Sequence, residues 1–318
     1  MAKILVFGYY GFGNFGDELL LASIKENLTE HDLVVVSEDP QNTEKLHGLE
    51  SISRNQFWKD PGKHDIFLLG GGSILQNVTS HRSLAYYLMA LKRAQKAGMD
   101  LYLMSQGIGP IRGSIANYAV SSMLKGLPLT VRDFASLIVA NDLGLEAHLV
   151  ADLAFGYSGY PLKNNGDMVG VAIKDGFEID KGVAWLKTFE REIRLLAFHK
   201  DDLNLCLKVE KLLPHAHTVR VKELKDLAFL TDLEFLWGMR LHSLVVAVSM
   251  GIPAIGISYD PKIRALCRET GLAWHLPGEL PKKEWIRSGK ADTLICRSDR
   301  AWQLFREYTE ARTPWHSR

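Results

Sequence analysis

The chain opens on Ile4-Leu5-Val6-Phe7, a short unbroken apolar run that stops at a glycine. That is the pattern of a strand buried on both faces of a parallel sheet. Lys3 to Tyr9 is therefore the first predicted strand, followed by a glycine-rich loop to Glu18 and a helix over Leu19 to Leu28. Further apolar runs predict strands at Leu33 to Ser37, Asp65 to Leu69, Leu101 to Met104, Leu129 to Val131 and Ala147 to Val150, with an apolar helix at Leu84 to Leu91. The strands give way at their carboxyl ends to glycine or polar residues: Glu38-Asp39, Gly70-Gly71-Gly72-Ser73, Ser105-Gln106-Gly107, Arg132-Asp133 and Ala151-Asp152. Strands that alternate with helices build an α/β sheet, and the carboxyl edge of such a sheet is where ligands bind.

Gly156 to Asp167 is rich in glycine, asparagine and proline and lacks periodicity, so a domain boundary is predicted there. The expected division is 1–160 and 161–318. The second part repeats the rhythm, with strands at Val169 to Ile173, Arg194 to Ala197, His217 to Val221, Glu234 to Trp237 and Pro253 to Tyr259. Helices alternate with them around Val183 to Glu192, Asp202 to Leu213 and Leu224 to Leu230. The fold class is α/β, with two Rossmann-like doubly wound domains facing a cleft. The last helix, Ser298 to Thr309, carries Trp302, Phe305 and Tyr308, with Trp315 beyond it; it is expected to pack back across the first domain. A membrane-surface role for this end, with Lys282, Lys283, Arg287 and Lys290 nearby, is the alternative.

The chain is organised around Leu236 to Lys262. A loop leads into a buried helix from about Arg240 to Met250, then a Gly-Pro break, a buried strand and another loop. Helix N-termini and strand C-termini open on one edge, so Arg240, His242 and Lys262 share it. Cations at a helix N-terminus favour a phosphorylated or carboxylated small molecule. Pairing of Arg240 with a nearby carboxylate and a capping role for His242 are the competing readings. Arg132, beside Asp133, divides in the same way between ligand binding and a local ion pair. Near the N-terminus Gly11, Gly13 and Gly16 fit G-x-G-x-x-G, with Glu38 and Asp39 about where a ribose-binding acid belongs. Asp17, directly after the third glycine, would face the pyrophosphate of a dinucleotide; it is either an N-cap acid or a partner for sugar hydroxyls.

Composition narrows the classes. The chain has 318 residues, 47% hydrophobic and 24% charged, with a formal net charge of +1. Two domains are the natural expectation for that length, and the charge supplies no field for nucleic acid. The N-terminus runs straight into a strand, and no apolar run reaches the roughly 18 to 20 residues that span a bilayer, so a cytoplasmic protein is expected. The three cysteines, Cys206, Cys267 and Cys296, fit neither a disulfide framework nor a zinc site and are expected to be reduced and mostly buried.

Taken together, six motifs resemble the polysaccharide pyruvyltransferase family, most closely its bacterial cell-wall branch, the CsaB proteins. They are Gly8 to Glu18, Leu69 to Leu88 around Val78-Thr79-Ser80-His81-Arg82, Gln106 to Ile111, Thr130 to Asp133, Ala151 to Phe155, and Gly238 to Lys262. The resemblance implies a fold like the GT-B glycosyltransferases and transfer of pyruvate from phosphoenolpyruvate, as a ketal, onto a sugar of an N-acetylmannosamine type in a lipid-linked secondary cell-wall polymer. It implies contact with the inner membrane face, ketals that anchor surface-layer proteins, and no cofactor. His242 is then the acid/base, with Asp17 a second catalytic candidate. Arg132, Arg240 and Lys262 are the cations for the donor. Gly11, Gly13, Asn14, Gly71, Gly72, Asn77, Ser80 and Arg82 complete the substrate-binding set. The donor is expected on the second domain, the acceptor on the first, and no metal ligand set is expected. The chain departs from the family pattern at Ser73, at Ala197 to Asp202 and at Lys174, which bears on the acceptor. A nucleotide-sugar glycosyltransferase, a dinucleotide-dependent oxidoreductase and a non-catalytic sensor are the competing functions.

Overall fold

The computed structural model describes residues 1–78 and 80–311; Thr79 and Trp315 lie outside them. The elements are β1 (Lys3–Phe7), α1 (Phe15–Asn27), β2 (Asp32–Ser37), α2 (Pro40–His47), β3 (Glu50–Ser53), α3 (Arg54–Lys59), β4 (Ile66–Leu69), β5 (Gly72–Leu75), α4 (His81–Lys96), β6 (Asp100–Ile108), α5 (Ser114–Leu124), β7 (Leu129–Val131), α6 (Phe134–Asp142) and β8 (His148–Leu149). They continue as β9 (Met168–Ala172), α7 (Ile179–Leu186), β10 (Ile193–Ala197), α8 (Leu203–Glu210), β11 (Ala216–Arg220), β12 (Leu233–Gly238), α9 (Leu241–Ser249), β13 (Ala254–Ile257), α10 (Pro261–Thr270), β14 (Ala273–His275) and α11 (Asp292–Glu310). Local chemistry sets several ends. Asp39 caps α2 ahead of Pro40, and Asp260 caps α10 ahead of Pro261; Gly48 and Gly271 close the same two helices in the left-handed region.

The chain divides into two compact units: Met1–Phe12, Leu20–Tyr157 and Leu294–Arg318 form the first, and Gly13–Leu19 with Ser158–Thr293 form the second. The division therefore passes close to the predicted linker but departs from 1–160 and 161–318 in two places. The start of α1 belongs with the second unit and most of α11 with the first. Main-chain bonds explain the first departure: Phe15 N donates to Phe198 O at 3.0 Å and Lys200 N to Gly13 O at 3.2 Å. The second follows from aromatic packing, since the Phe305 ring meets Tyr102 edge-on at 4.9 Å.

Both sheets are parallel. The first runs β3-β2-β1-β4-β6-β7-β8, with β5 paired to β6. Residues of α4, α5 and α6 share one core cluster with its strands. The second sheet runs β11-β10-β9-β12-β13-β14. Numbered within that unit the order is 3-2-1-4-5-6, the Rossmann arrangement, and its direction reverses between β9 and β12. Its core is aromatic: Trp185 and Trp237 lie 4.5 Å apart, with Phe235 and Phe189 beside them. A ligand site is expected outside the carboxyl ends of β9 and β12.

Candidate functional site

At that reversal the second unit gathers cations. Lys174 follows β9, and its ammonium stands 4.4 Å from the centre of the Tyr259 ring. Arg240 follows β12 and is the N-cap of α9, which begins without a side-chain cap. His242 sits in the first turn of α9, and Lys262 in the first turn of α10. Burial, then the nearby Arg240 charge, hold the Lys174 ammonium below its usual range against the pull of Asp202, Asp175 and Asp260. Burial and Arg240 depress the His199 imidazole in the same way. An anion placed here would relieve that mutual repulsion, and a helix N-terminus would add to its stabilisation.

Arg240 is not a loose cation. Its Nε and Nη2 donate to the two oxygens of Asp202 at 2.9 and 2.5 Å. Asp202 is 2% exposed and also accepts from the His199 backbone N–H at 3.1 Å. The carboxylate-pairing reading of Arg240 thus describes its geometry, and the pair fixes the guanidinium in one orientation. Lys262 Nζ is 3.7 Å from Asp260.

The start of α1 completes this edge. A Cβ built on Gly16 would lie 1.9 Å from His242 Nδ1 and 2.5 Å from its Cγ, so the bare α-carbon is what lets the imidazole rest against the helix. Asn14 donates through its side chain to Asp17, which is buried in the first turn of α1. Gly13, at φ +76°, faces Arg220 from the end of β11, with a built Cβ 3.0 Å from Nη2. His242, Arg240, Lys262, Gly13, Asn14 and Asp17 therefore all fall in the second unit.

The remaining predicted residues lie in the first unit, where most have structural partners. Arg132, 6% exposed, donates to Asp152 at 3.0 Å, to Asp133 at 3.4 Å and to Ser73. Burial works against its charge, but Asp152 and Asp133 outweigh it and raise its pKa. Its geometry is that of the local ion pair. Asn77 uses both ends of its amide on the Arg112 main chain, each at 2.8 Å. Ser80 caps α4 through Arg82 N, and the Arg82 side chain lies on the exposed face of that helix. Gly71 is hemmed in by Ser105, Leu20 and Leu153, and Gly72 takes φ +112°. Gln106 Nε2 gathers the carbonyls of Leu69 and Gly70 at 2.8 and 3.1 Å, fixing the loop after β4.

The dinucleotide fingerprint does not assemble. Gly11 belongs to the first unit, where a Cβ would strike Ser37 Oγ and the Asp39 backbone, while Gly13 and Gly16 belong to the second. Asp39 caps α2, and Glu38 faces Arg54 at 3.7 Å. Arg54 in turn covers the loop, donating to Gly8 O at 3.0 Å and stacking 4.5 Å from the centre of the Phe12 ring. The acids expected for a ribose are engaged within the protein.

Sequence reasoning missed Asp202 and Arg220 as parts of this edge. The acidic pair Asp201-Asp202 in the loop after β10 was the available signal for Asp202; nothing marked Arg220. Among the described residues, no three His, Cys, Asp or Glu side chains cluster in a way that would hold a metal ion, and no helix is long and apolar enough to cross a membrane.

Two parallel-sheet Rossmann-like units, one with cations at its topological reversal, define a protein of the GT-B-like α/β class. The sequence profile of polysaccharide pyruvyl transferases matches residues 14–261, and the chain belongs to that family. Among solved structures it is similar to a UDP-GlcNAc 2-epimerase from Methanocaldococcus jannaschii, with a TM-score of 0.64, 11% identity and coverage of 98% of this chain and 100% of that one. It is also similar to HepE of Anabaena in complex with UDP and glucose, with a TM-score of 0.60, 9% identity and coverage of 98% and 99%. A glycosyltransferase from Rickettsia africae follows at a TM-score of 0.55, 9% identity and coverage of 95% and 88%. Identities this low speak for the fold alone. No curated protein matches the chain.

Proposed function

We propose that the protein transfers pyruvate from phosphoenolpyruvate to two hydroxyls of one sugar on a lipid-linked cell-wall polymer at the cytoplasmic face of the membrane, as in the CsaB branch of its family. The observation that carries this reading is the carboxyl edge of the second sheet, where Lys174, Arg240 and Lys262 surround the N-terminus of α9 and His242. Phosphoenolpyruvate brings a phosphate and a carboxylate, which such an edge binds by charge-assisted hydrogen bonds. Arg132 then serves to frame the first unit's loops rather than to bind the donor.

In the reaction, His242 delivers a proton to the methylene carbon, and the positive charge that develops at the adjacent carbon is captured by the first sugar hydroxyl. The proton of that hydroxyl restores His242. Loss of phosphate reopens the cationic centre, the second hydroxyl closes the ketal, and its proton leaves with the phosphate. Imidazole is the side chain suited to such exchange near neutral pH. Gly16 makes room for the ring beside α1, and in this reading Asp17, hydrogen-bonded by Asn14, orients an acceptor hydroxyl. An N-acetylmannosamine-type acceptor follows from the family resemblance.

The test is to titrate the protein with phosphoenolpyruvate, a UDP-sugar and NADH. Phosphoenolpyruvate at about a hundred times its dissociation constant should stabilise by roughly 2.7 kcal/mol. It should also release phosphate in the presence of a lipid-linked acceptor. Stabilisation by the UDP-sugar alone, with sugar transfer, would instead establish a glycosyltransferase.

A further inference from the structure

The outer surface of α4, α5 and α6 has a composition that the reaction does not explain. The three helices join one core cluster, and α4 packs on α5, so their outward sides adjoin. On α4 the exposed positions include Arg82, Ala85, Met89, Lys92 and Lys96 at helical spacing, with His81 and Gln95 beside them. On α5 they are Ser114, Ile115, Tyr118 and Ser122, followed by the exposed Lys125 and preceded by the exposed Arg112. Ile115 is 85% and Tyr118 76% exposed, and Phe134 and Ile138 of α6 also face solvent.

The charge on this stretch is one-sided. Between Gly70 and Val131 the only acid is Asp100, at the start of β6, against Arg82, Lys92, Arg93, Lys96, Arg112 and Lys125. The whole chain carries only +1, so the excess is local to α4, α5 and the residues flanking them; α6 has no base and carries the exposed Asp142. On α4 and α5, which carry no acid, large apolar side chains beside basic ones fit an anionic bilayer, whose acyl boundary accepts the former and whose headgroups attract the latter. A second copy of the chain fits poorly, because a two-fold interface would set the same cationic stripes against each other.

We propose that the α4–α5 face of the first unit docks on an anionic lipid bilayer. Its use, bringing the protein to a lipid-linked acceptor, rests on the function proposed above; the docking itself does not.

The full chain is sedimented with vesicles of mixed phosphatidylglycerol and phosphatidylcholine and with vesicles of phosphatidylcholine alone. It should partition onto the anionic vesicles and come off as salt is raised. The triple variant Lys92→Gln, Lys96→Gln, Lys125→Gln should lower the partition coefficient about 10²-fold, from the usual contribution of each basic residue near such a surface. Ile115→Ser with Tyr118→Ser should lower it at least about tenfold. All five positions are exposed, and an unchanged melting temperature certifies the fold. Failure to bind anionic vesicles, or binding unchanged in both variants, overturns the proposal. So does a wild-type dimer that the Ile115/Tyr118 variant breaks while neither protein binds vesicles. Variants that lose vesicle binding but still release phosphate from phosphoenolpyruvate on a soluble acceptor support it. Normal vesicle binding by a protein that never turns over phosphoenolpyruvate also upholds the surface, and rejects the proposed reaction instead.

Discussion

Gly16→Ala isolates the contact between α1 and the imidazole of His242. The added methyl would sit 1.9 Å from Nδ1, 2.5 Å from Cγ and 2.7 Å from Cε1, all of them ring atoms. To restore ordinary van der Waals separation the ring must retreat by about 1.5 Å. Alanine is the better helix former by up to about 1 kcal/mol, and His242 is only half-buried, so the ring should yield rather than the helix. A displacement of about 1 Å at a reacting group costs roughly 10²-fold. Phosphate release with saturating phosphoenolpyruvate and acceptor should therefore fall about 10²-fold in kcat, with a melting temperature equal to or above that of the parent. His242→Gln should lose about 10²- to 10⁴-fold while donor binding stays within a few-fold. A Gly16→Ala protein that is folded and turns over at the parental rate would refute both the positioning and the acid/base role built on it.

Arg240→Ala removes both bonds to Asp202 and leaves that buried carboxylate without its cation, held by the His199 N–H, so donor KM should rise by at least tenfold and the melting temperature should drop, read by kinetics and calorimetry together. His275 accepts from Trp237 Nε1 at 2.8 Å through Nε2, and burial holds its pKa below 6.5. Unfolding therefore takes up a proton as pH falls below 6.5, and stability present above that value is lost at up to about 1.4 kcal/mol per pH unit. Denaturant titrations at pH 7.5 and 5 should show the loss, and His275→Gln should reduce it. Burial pushes the Cys206 and Cys267 thiols up to about 12, whereas Cys296 is exposed. A thiol reagent should modify one cysteine quickly in the native protein, and Cys296→Ser should abolish that phase.

The buried strands were legible because an apolar run flanked by glycine has few alternatives. β1 and β4 lie within the runs that predicted them, and β9, β10 and β12 match theirs to within one residue at each end. The segment from α2 to α3 was not, because Pro40–His47, Glu50–Ser53 and Arg54–Lys59 are short and largely polar. β3 is an edge strand, and its register is set by β2 rather than by its own pattern. β13 ends at Ile257, two residues before the predicted strand end at Tyr259, where the chain turns and Tyr259 N bonds back to Ile257 O at 3.2 Å.

The site was legible as an inventory of residues and illegible as a set of partnerships. Arg240, His242 and Lys262 announce themselves by position at helix starts, which the period of the sequence predicts. The acid that fixes Arg240 lies 38 residues away on another loop, and only the parallel pairing of β10 and β12 with β9 brings them together. The glycine motif shows the same limit from the other side. Its spacing matches a phosphate cradle, but that function requires all three glycines to shape one loop around one ligand. Here Gly11 packs on the end of β2, Gly13 makes room for Arg220 and Gly16 makes room for His242. Three residues that look like one motif in sequence thus answer three separate steric demands, and only the last of them touches the residue on which the proposed chemistry depends.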